Sequence, residues 1–221
     1  MKDNSLAITD IMSGLMMVFL FIAVVFMLHI QRQKDAMADI ARLYELNRQQ
    51  LYVDLVAEFK SDLIRWNAEI LTDNTVRFNA PKVLFEHGSN RLRRKFMSIL
   101  DSFFPRYIGI LQKYQKDIIA VRIEGHTSSD WNDVSLPVSY LNNVRLSQQR
   151  ALSTLEYCYS LLVTDDDKRL WLQKVIQANG LSFAKRVINS DGSENKQKSR
   201  RVEFKVVTNA EEKLYQIVEG L

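Results

Sequence analysis

Residues 10–30 of the chain read DIMSGLMMVFLFIAVVFMLHI, and this apolar run sets the organisation of the whole protein. Among the twenty residues after Asp10, three are not plainly apolar: Ser13, Gly14 and His29. About 20 apolar residues in a helix cross the roughly 30 Å hydrocarbon layer of a membrane. The run therefore predicts a single transmembrane helix at residues 11–30, with residues 1–10 as a short segment before it.

Asp10 stands at the edge of this run. Burying a carboxylate in lipid costs free energy, so Asp10 is expected to face a protein partner or a water path. The alternative is that Asp10 is simply the hydrated end of an anchor helix. Position alone leaves both interpretations open.

The apolar run is predicted to be a retained anchor rather than a cleaved signal peptide. It is longer than the roughly 7–15 apolar residues of a signal-peptide core, and no small-x-small cleavage site follows it. Arg32, Lys34 and Arg42 lie beyond the run. The positive-inside tendency by itself would place that side in the cytoplasm.

Composition limits what the remaining residues can be. The chain has 221 residues, of which 47% are hydrophobic, so one folded domain and a connecting helix fit after the span. The formal charge of +4 arises from basic residues interspersed with acidic ones, which does not favour a nucleic-acid surface. The one cysteine, Cys158, excludes an intrachain disulfide and is expected to be a small buried hydrophobe.

An apolar stripe at three- and four-residue spacing predicts a long helix after the span. Its members are Ile40, Tyr44, Leu51, Leu55, Phe59, Leu63, Trp66 and Ile70. Glycine and proline are absent from residues 15–80, so the helix is expected to continue to Thr72–Asn74, making residues 31–73 a connecting segment. The stripe is expected to form a dimer seam near the membrane and to dock on the folded domain near Ile70.

Residues 74–221 are predicted to form a domain of mixed α+β class. Short apolar runs and alternating patterns predict strands at Val83–Phe85, Ile118–Glu124 and Arg201–Val207. Helical periodicity predicts helices at Arg91–Tyr114 and Leu146–Leu162. The polar stretch Asn189–Ser199 is expected to be a flexible loop.

Four motifs occur in order in this domain: Leu84–Phe85 followed by Gly88, Gly125–Thr127, Asn143–Ala151 and Arg200–Phe204. Together they resemble the OmpA-like peptidoglycan-binding domain of OmpA, Pal and MotB, over roughly residues 74–207. In the span, Asp10–Leu20 resembles the ion-carrying segment of MotB-type stator subunits. The resemblance implies one N-terminal transmembrane helix, a long connecting helix and a βαβαβ-type OmpA-like domain.

The resemblance also implies a site for peptidoglycan stem peptides. Arg150 takes the role of holding a carboxylate in a bidentate pair. A helix start near Arg150 is expected to favour the same charge through its backbone N–H groups. Asn143 and Leu146 shape the pocket, and Thr127 belongs to the strand-end motif beside it.

This chain departs from the family pattern at one position of that site. Where the family commonly has an aspartate that binds the diaminopimelate amine, this chain has Ser128. The nearest acids are Asp130 and Asp133, and Asp130 is the candidate replacement. Otherwise the chain binds the wall more weakly or recognises a different stem peptide.

Catalysis is not expected of this chain. No nucleophile–base pair, phosphate-binding glycine loop or metal-ligand spacing is present in the sequence, and His126 is interpreted as a structural residue. No cofactor is expected beyond a transported proton or sodium ion.

Three classes of function are compatible with this organisation. An ion-conducting stator subunit requires an ionisable residue in the span, whereas a passive tether to the cell wall and a sensor of wall damage do not. Asp10 therefore favours the stator.

Among stator families, the short segment before Asp10 and the run Gly125–Trp131 resemble ZorB of the Zorya anti-phage systems more than flagellar MotB, which remains the alternative. The ZorB resemblance implies a homodimer inside a pentamer of a MotA-like (ZorA-like) channel subunit. It also implies a single-pass inner-membrane protein with a cytoplasmic N-terminus and a periplasmic peptidoglycan-binding domain. That orientation opposes the charge tendency at Arg32, Lys34 and Arg42.

Overall fold

The computed structural model describes residues 3–79, 81–86, 88–131 and 134–209, with side chains from Ile11 onward except at 41, 43, 44, 81 and 82. The chain divides into an N-terminal unit that ends at Glu45 and a compact unit that begins at Leu46. The predicted domain limits at residues 10, 30 and 73 stay predictions. The predicted end of the domain, residues 210–221, lies outside the described residues.

Helix α1 (Asp3–Phe59) contains the apolar run. Every described side chain from residue 11 to residue 30 is exposed. Within the described ranges, α1 is the one helix that is long and apolar enough to cross a membrane. A continuous apolar surface of this size requires lipid or protein to cover it.

The compact unit adds six helices, a 3₁₀ turn and five strands to the end of α1 in the part of the chain that is described. The helices are α2 (Leu63–Trp66), α3 (Pro81–Leu84), α4 (Arg94–Leu111), α5 (Leu136–Ser160), α6 (Asp166–Val175) and α7 (Lys196–Ser199). The strands are β1 (Ala68–Ile70), β2 (Thr75–Phe78), β3 (Ile118–Gly125), β4 (Ile176–Gly180) and β5 (Val202–Thr208). They form one sheet in the order β1-β2-β5-β3-β4, in which β3 and β4 run parallel and the other neighbours antiparallel. The predicted α+β class is confirmed.

Aromatic side chains occupy the centre of the core. The ring of Phe103 on α4 lies 5.2 Å from Phe78 on β2 and 5.1 Å from Phe204 on β5, both at steep angles between the ring planes. Edge-to-face pairs of this kind add about 0.5–1.5 kcal/mol beyond area burial. Leu55 and Phe59 of α1 are fully buried in the same core, which confirms that the stripe docks on the domain.

The long helix ends earlier than predicted, at Phe59 rather than at Thr72–Asn74. Arg106 of α4 donates hydrogen bonds to the carboxylates of Glu58 and Asp62 and so holds the chain where it turns. The backbone then takes a left-handed conformation at Asn67 (φ 50°), which ends α2 before β1 pairs with β2. The turn depends on contacts with α4, which a local pattern does not encode.

Three other predicted segments differ from the structure. Val83–Phe85 is not a strand, because residues from Pro81 form α3, and proline with its fixed φ suits the first position of a helix. Helix α5 begins at Leu136, ten residues before the predicted start, with Pro137 in its first turn. In Asn189–Ser199, predicted to be a flexible loop, Glu194 forms a β-bridge with Ile188 just before the stretch, and the stretch ends in α7.

Two glycines allow α5 to lie directly against the sheet. A Cβ atom at Gly125 would lie 2.3 Å from the carbonyl oxygen of Ser147, and one at Gly180 would lie 2.3 Å from the backbone nitrogen of Gln148. The Gln148 side chain also donates to the Ala178 carbonyl and accepts from the Gly180 N–H. This close approach fixes the position of α5 relative to the ends of β3 and β4.

We predict that Gly125→Ala destabilises the domain by about 2–3 kcal/mol, because backbone atoms of α5 would have to move. Gly109→Ala is the matched control, since apart from the nearby backbone of α4 itself no described atom lies within 4 Å of a Cβ at that position. Because Gly109 lies inside helix α4, Gly109→Ala should leave the stability of the domain unchanged or increase it by about 0.5–1 kcal/mol. Urea unfolding of both variants measures the difference, and equal stabilities would refute the close-approach argument.

Candidate functional site

A pocket of about 430 Å³ opens where the end of β3, helix α5 and the segments around α3 and α7 meet. The five predicted site residues of the domain all line it: Thr127, Asp130, Asn143, Leu146 and Arg150. Its volume falls in the usual range of roughly 300–1,000 Å³ for small-ligand sites. The sixth predicted residue, Asp10, lies in α1, and its side chain is outside the described residues.

Arg150 is a partly buried cation held in place by neutral groups. Its Nε donates to the Ser89 carbonyl oxygen at 2.9 Å, and its guanidinium carbon lies 5.0 Å above the centre of the Phe85 ring. No ion pair joins Arg150 to a carboxylate among the described residues. Burial, with a smaller contribution from the positive charge of Arg200, lowers the pKa of Arg150 to about 10. A buried guanidinium in this state favours an anionic ligand.

Thr127 and Asn143 form a polar part of the pocket wall. The Thr127 hydroxyl is buried and has no hydrogen-bond partner among the described residues, although its backbone N–H donates to the Ser182 carbonyl. The Asn143 side chain donates to the Ser139 carbonyl one turn earlier in α5. Buried hydroxyl groups are usually hydrogen-bonded, so Thr127 offers an unfilled contact to a ligand.

Asp130 lies at the pocket, but its carboxylate is already paired. Its Oδ1 accepts a hydrogen bond from the Lys196 ammonium at 2.6 Å. Ser128, at the family aspartate position, is 3% exposed. A further acid, Glu194, accepts from the backbone and hydroxyl of Ser129, a contact that sequence reasoning missed. Asp133 lies outside the described residues.

Behind the pocket, a row of charged side chains crosses four strands. Strand pairing places Glu69 opposite Arg77, Arg77 opposite Glu203, and Glu203 opposite Glu124. Arg77 Nε lies 2.6 Å from Glu203 Oε1, and Arg201 Nε lies 2.7 Å from the same oxygen. Burial raises the pKa of Glu203, but the neighbouring His126 and Arg201 outweigh it and hold the pKa well below its ordinary value.

His126 lies between the two buried carboxylates of this row. Its Nε2 is 3.3 Å from Glu203 and 3.6 Å from Glu124. These three residues have the spacing of metal ligands. However, Arg77 and Arg201 pair with Glu203, and Lys185 lies 3.6 Å from Glu124, so the carboxylate charges are already compensated. The group is therefore interpreted as a structural ion-pair network.

The predicted role of a helix start near Arg150 is wrong. Because α5 begins at Leu136, Arg150 lies about four turns into the helix, where backbone N–H groups bond within the helix. Its environment comes instead from Ser89 and Phe85, on the segment between α3 and α4. The anion preference at Arg150 thus arises from side-chain charge and burial.

An apolar N-terminal helix and an α+β domain with an arginine-rich pocket define a membrane-anchored protein of the OmpA-like fold. No family model matches the chain. It is 42% identical over 222 residues to the Zorya protein ZorB of Escherichia coli (strain ATCC 8739), covering 99% of this chain and 94% of that protein. The chain therefore belongs to the ZorB family.

One solved structure shows the same fold at lower sequence identity, and a second aligns less closely. A MotB-like protein from Desulfovibrio vulgaris aligns with a TM-score of 0.55 at 18% identity, covering 76% of this chain and 98% of that one. The cell wall anchor of the type VI secretion system from Pseudomonas aeruginosa aligns with a TM-score of 0.47 at 21% identity, covering 70% and 96%. The first of these confirms the predicted fold of the domain.

The lowered pKa of Glu203 makes the stability of the domain depend on pH. A carboxylate with a depressed folded-state pKa contributes stability that is fully present above its unfolded-state pKa of about 4.3. This contribution is lost as the pH falls toward the folded-state pKa.

The free energy of unfolding should therefore decrease on acidification below about pH 5, and Glu203→Gln should flatten this dependence. Urea unfolding at pH 7 and pH 4 measures it, with the exposed Glu156→Gln as control. Equal slopes for the two variants would contradict this role of Glu203.

Proposed function

We propose that the chain is the cell-wall-anchored stator subunit of a Zorya membrane motor that serves defence against bacteriophages. In this role, ion flow past Asp10 through a channel partner would drive rotation, while the folded domain holds the complex to peptidoglycan. The observation that carries the proposal is the partly buried guanidinium of Arg150, which pairs with no carboxylate among the described residues, in the pocket of a ZorB-family chain. The 42% identity to ZorB favours this role over that of a flagellar subunit.

The pocket has the chemistry needed to bind the wall. Peptidoglycan stem peptides carry carboxylates, which the planar guanidinium of Arg150 can bind through two parallel hydrogen bonds. The unfilled Thr127 hydroxyl lies on the same pocket wall and can hydrogen-bond a peptide group. Leu146 and Phe85 supply apolar surface against the aliphatic part of a side chain.

The N-terminal helix has the chemistry needed for an ion path with partners. Its exposed apolar side chains between residues 11 and 30 require a covering, and Ser13 and Gly14 permit close helix packing. One helix does not enclose a path, so we propose a homodimer inside a pentamer of a ZorA-like channel subunit. The N-terminus is then cytoplasmic and the folded domain periplasmic, in the inner membrane. The transported ion is a proton or sodium.

We predict that Arg150→Ala abolishes co-sedimentation of the full-length, detergent-solubilised chain with purified peptidoglycan. Removal of one partner of a buried charged contact costs about 2–5 kcal/mol, enough to eliminate a micromolar interaction. Arg145→Ala is the matched control, because it removes an exposed arginine of the same helix that does not line the pocket. Equal sedimentation of the two variants would exclude Arg150 as the wall contact.

We predict that Asp10→Asn assembles with its channel partner but conducts no ions and gives no protection against phage. Asparagine retains size and hydrogen bonding and lacks the titration needed to carry a proton. Asp39→Asn, at an exposed position farther along α1, should retain both activities. Ion flux in vesicles and phage plating measure them, and full protection by Asp10→Asn would refute the motor.

A further inference from the structure

Three arginines that line the pocket share one arrangement. Arg93, Arg150 and Arg200 each donate from Nε to a backbone carbonyl, at 2.9, 2.9 and 3.0 Å respectively. Among the described residues, their terminal nitrogens have neither a hydrogen bond nor an ion pair. Each side chain is thus held at one edge, and its two outer nitrogens remain available for a carboxylate.

Among the described residues, the two acids that line the pocket each lie close to another cation. Asp130 accepts from the Lys196 ammonium at 2.6 Å, and Glu86 lies 3.9 Å from Arg91. Both pairs are largely exposed, so each contributes little free energy. A ligand ammonium that binds Asp130 either shares the carboxylate with Lys196 or displaces it. In the first case the Lys196 charge repels it, and in the second it exchanges one exposed ion pair for another, so its net gain is small.

The three arginines come from separate parts of the chain: the segment before α4, helix α5 and the residue after α7. Like charges directed to one cavity repel one another, and Arg200 acts on Arg150 in this way. A single carboxylate compensates one of the three positive charges. A ligand that carries two or more carboxylates relieves more of the repulsion.

We propose that the pocket recognises stem peptides through two or more carboxylates held by Arg93, Arg150 and Arg200, and that it does not select for a free amine. Stem peptides whose amine is acylated, as in a cross-link, then bind as well as free ones. This inference rests on the proposed binding of peptidoglycan and specifies which part of the wall is recognised. It also accounts for Ser128 at the position where the family commonly has an acid.

The first test measures binding of three synthetic probes to the full-length, detergent-solubilised chain by calorimetry. The probes are the tripeptide L-alanyl-γ-D-glutamyl-diaminopimelate, its derivative acetylated at the side-chain amine, and its derivative with amidated carboxylates. We expect the first two to bind within about twofold of each other and amidation to weaken binding by about tenfold or more. A loss on acetylation as large as the loss on amidation would overturn the inference.

The second test removes Arg93 and Arg200 one at a time. Arg93→Gln and Arg200→Gln should each weaken binding of the free tripeptide by roughly two- to fivefold, as expected for exposed charged contacts. Arg94→Gln removes the same charge one residue away, where it does not line this pocket, and should leave binding unchanged. An equal effect of Arg93→Gln and Arg94→Gln would show that only overall charge matters, which would overturn the site.

The third test removes the lysine that pairs with Asp130. Lys196→Gln removes its internal partner, so this variant should acquire a two- to fivefold preference for the free amine over the acetylated one. Lys198→Gln, on the same short helix, should show no such preference. If Lys196→Gln shows none either, the pairing of Asp130 with Lys196 does not explain amine tolerance, and that part of the inference fails.

These outcomes separate the inference from the proposed function. The wild-type chain could sediment with purified peptidoglycan and yet bind only the probe with a free amine. That result would support wall binding and overturn the inference. Failure of the wild-type chain to bind either peptidoglycan or any probe would overturn both.

Discussion

The close approach of helix α5 to the ends of β3 and β4 is the constraint on which the rest of the domain depends. Gly125 and Gly180 bring the helix backbone so near the sheet that a single methyl group at either position would collide with it. Because the helix is rigid, its contact with the sheet also fixes Asn143, Leu146 and Arg150. The pocket is thus a consequence of packing: its binding side chains belong to a helix whose position is set by backbone contact.

Charge is distributed differently on the two sides of His126. On one side, Glu124 and Glu203 lie close to two arginines and a lysine, so the charges of the buried carboxylates are compensated. On the other side, the terminal nitrogens of Arg150 have no partner among the described side chains. Paired buried charges hold a structure in one arrangement, whereas an uncompensated cation in a cavity favours binding an anion. The compensated network and the open site lie side by side at the end of one strand.

The sequence predicted those parts of the domain that local pattern determines. Alternation at Ile118–Glu124 located strand β3, and the four ordered motifs pointed to five residues that all line one pocket. The parts that it missed depend on distant contacts. The turn after Phe59 needs Arg106, the three-residue strand at Ala68–Ile70 forms by pairing with β2, and the pairing of Asp130 with Lys196 joins residues 66 positions apart. No periodicity reports such contacts.

The Gln148 side chain has a consequence for how neighbouring copies of this domain behave. It hydrogen-bonds the Ala178 carbonyl and the Gly180 N–H, which are backbone groups of the edge strand β4. The unpaired backbone groups of an edge strand can otherwise pair with strands of other molecules, which leads to edge-to-edge aggregation. At the opposite edge of the sheet, β1 has three residues and includes the charged Glu69, so it is poorly suited to pair with a strand of another molecule. Domains crowded together at a surface would therefore remain separate folded bodies and would not merge into a continuous sheet.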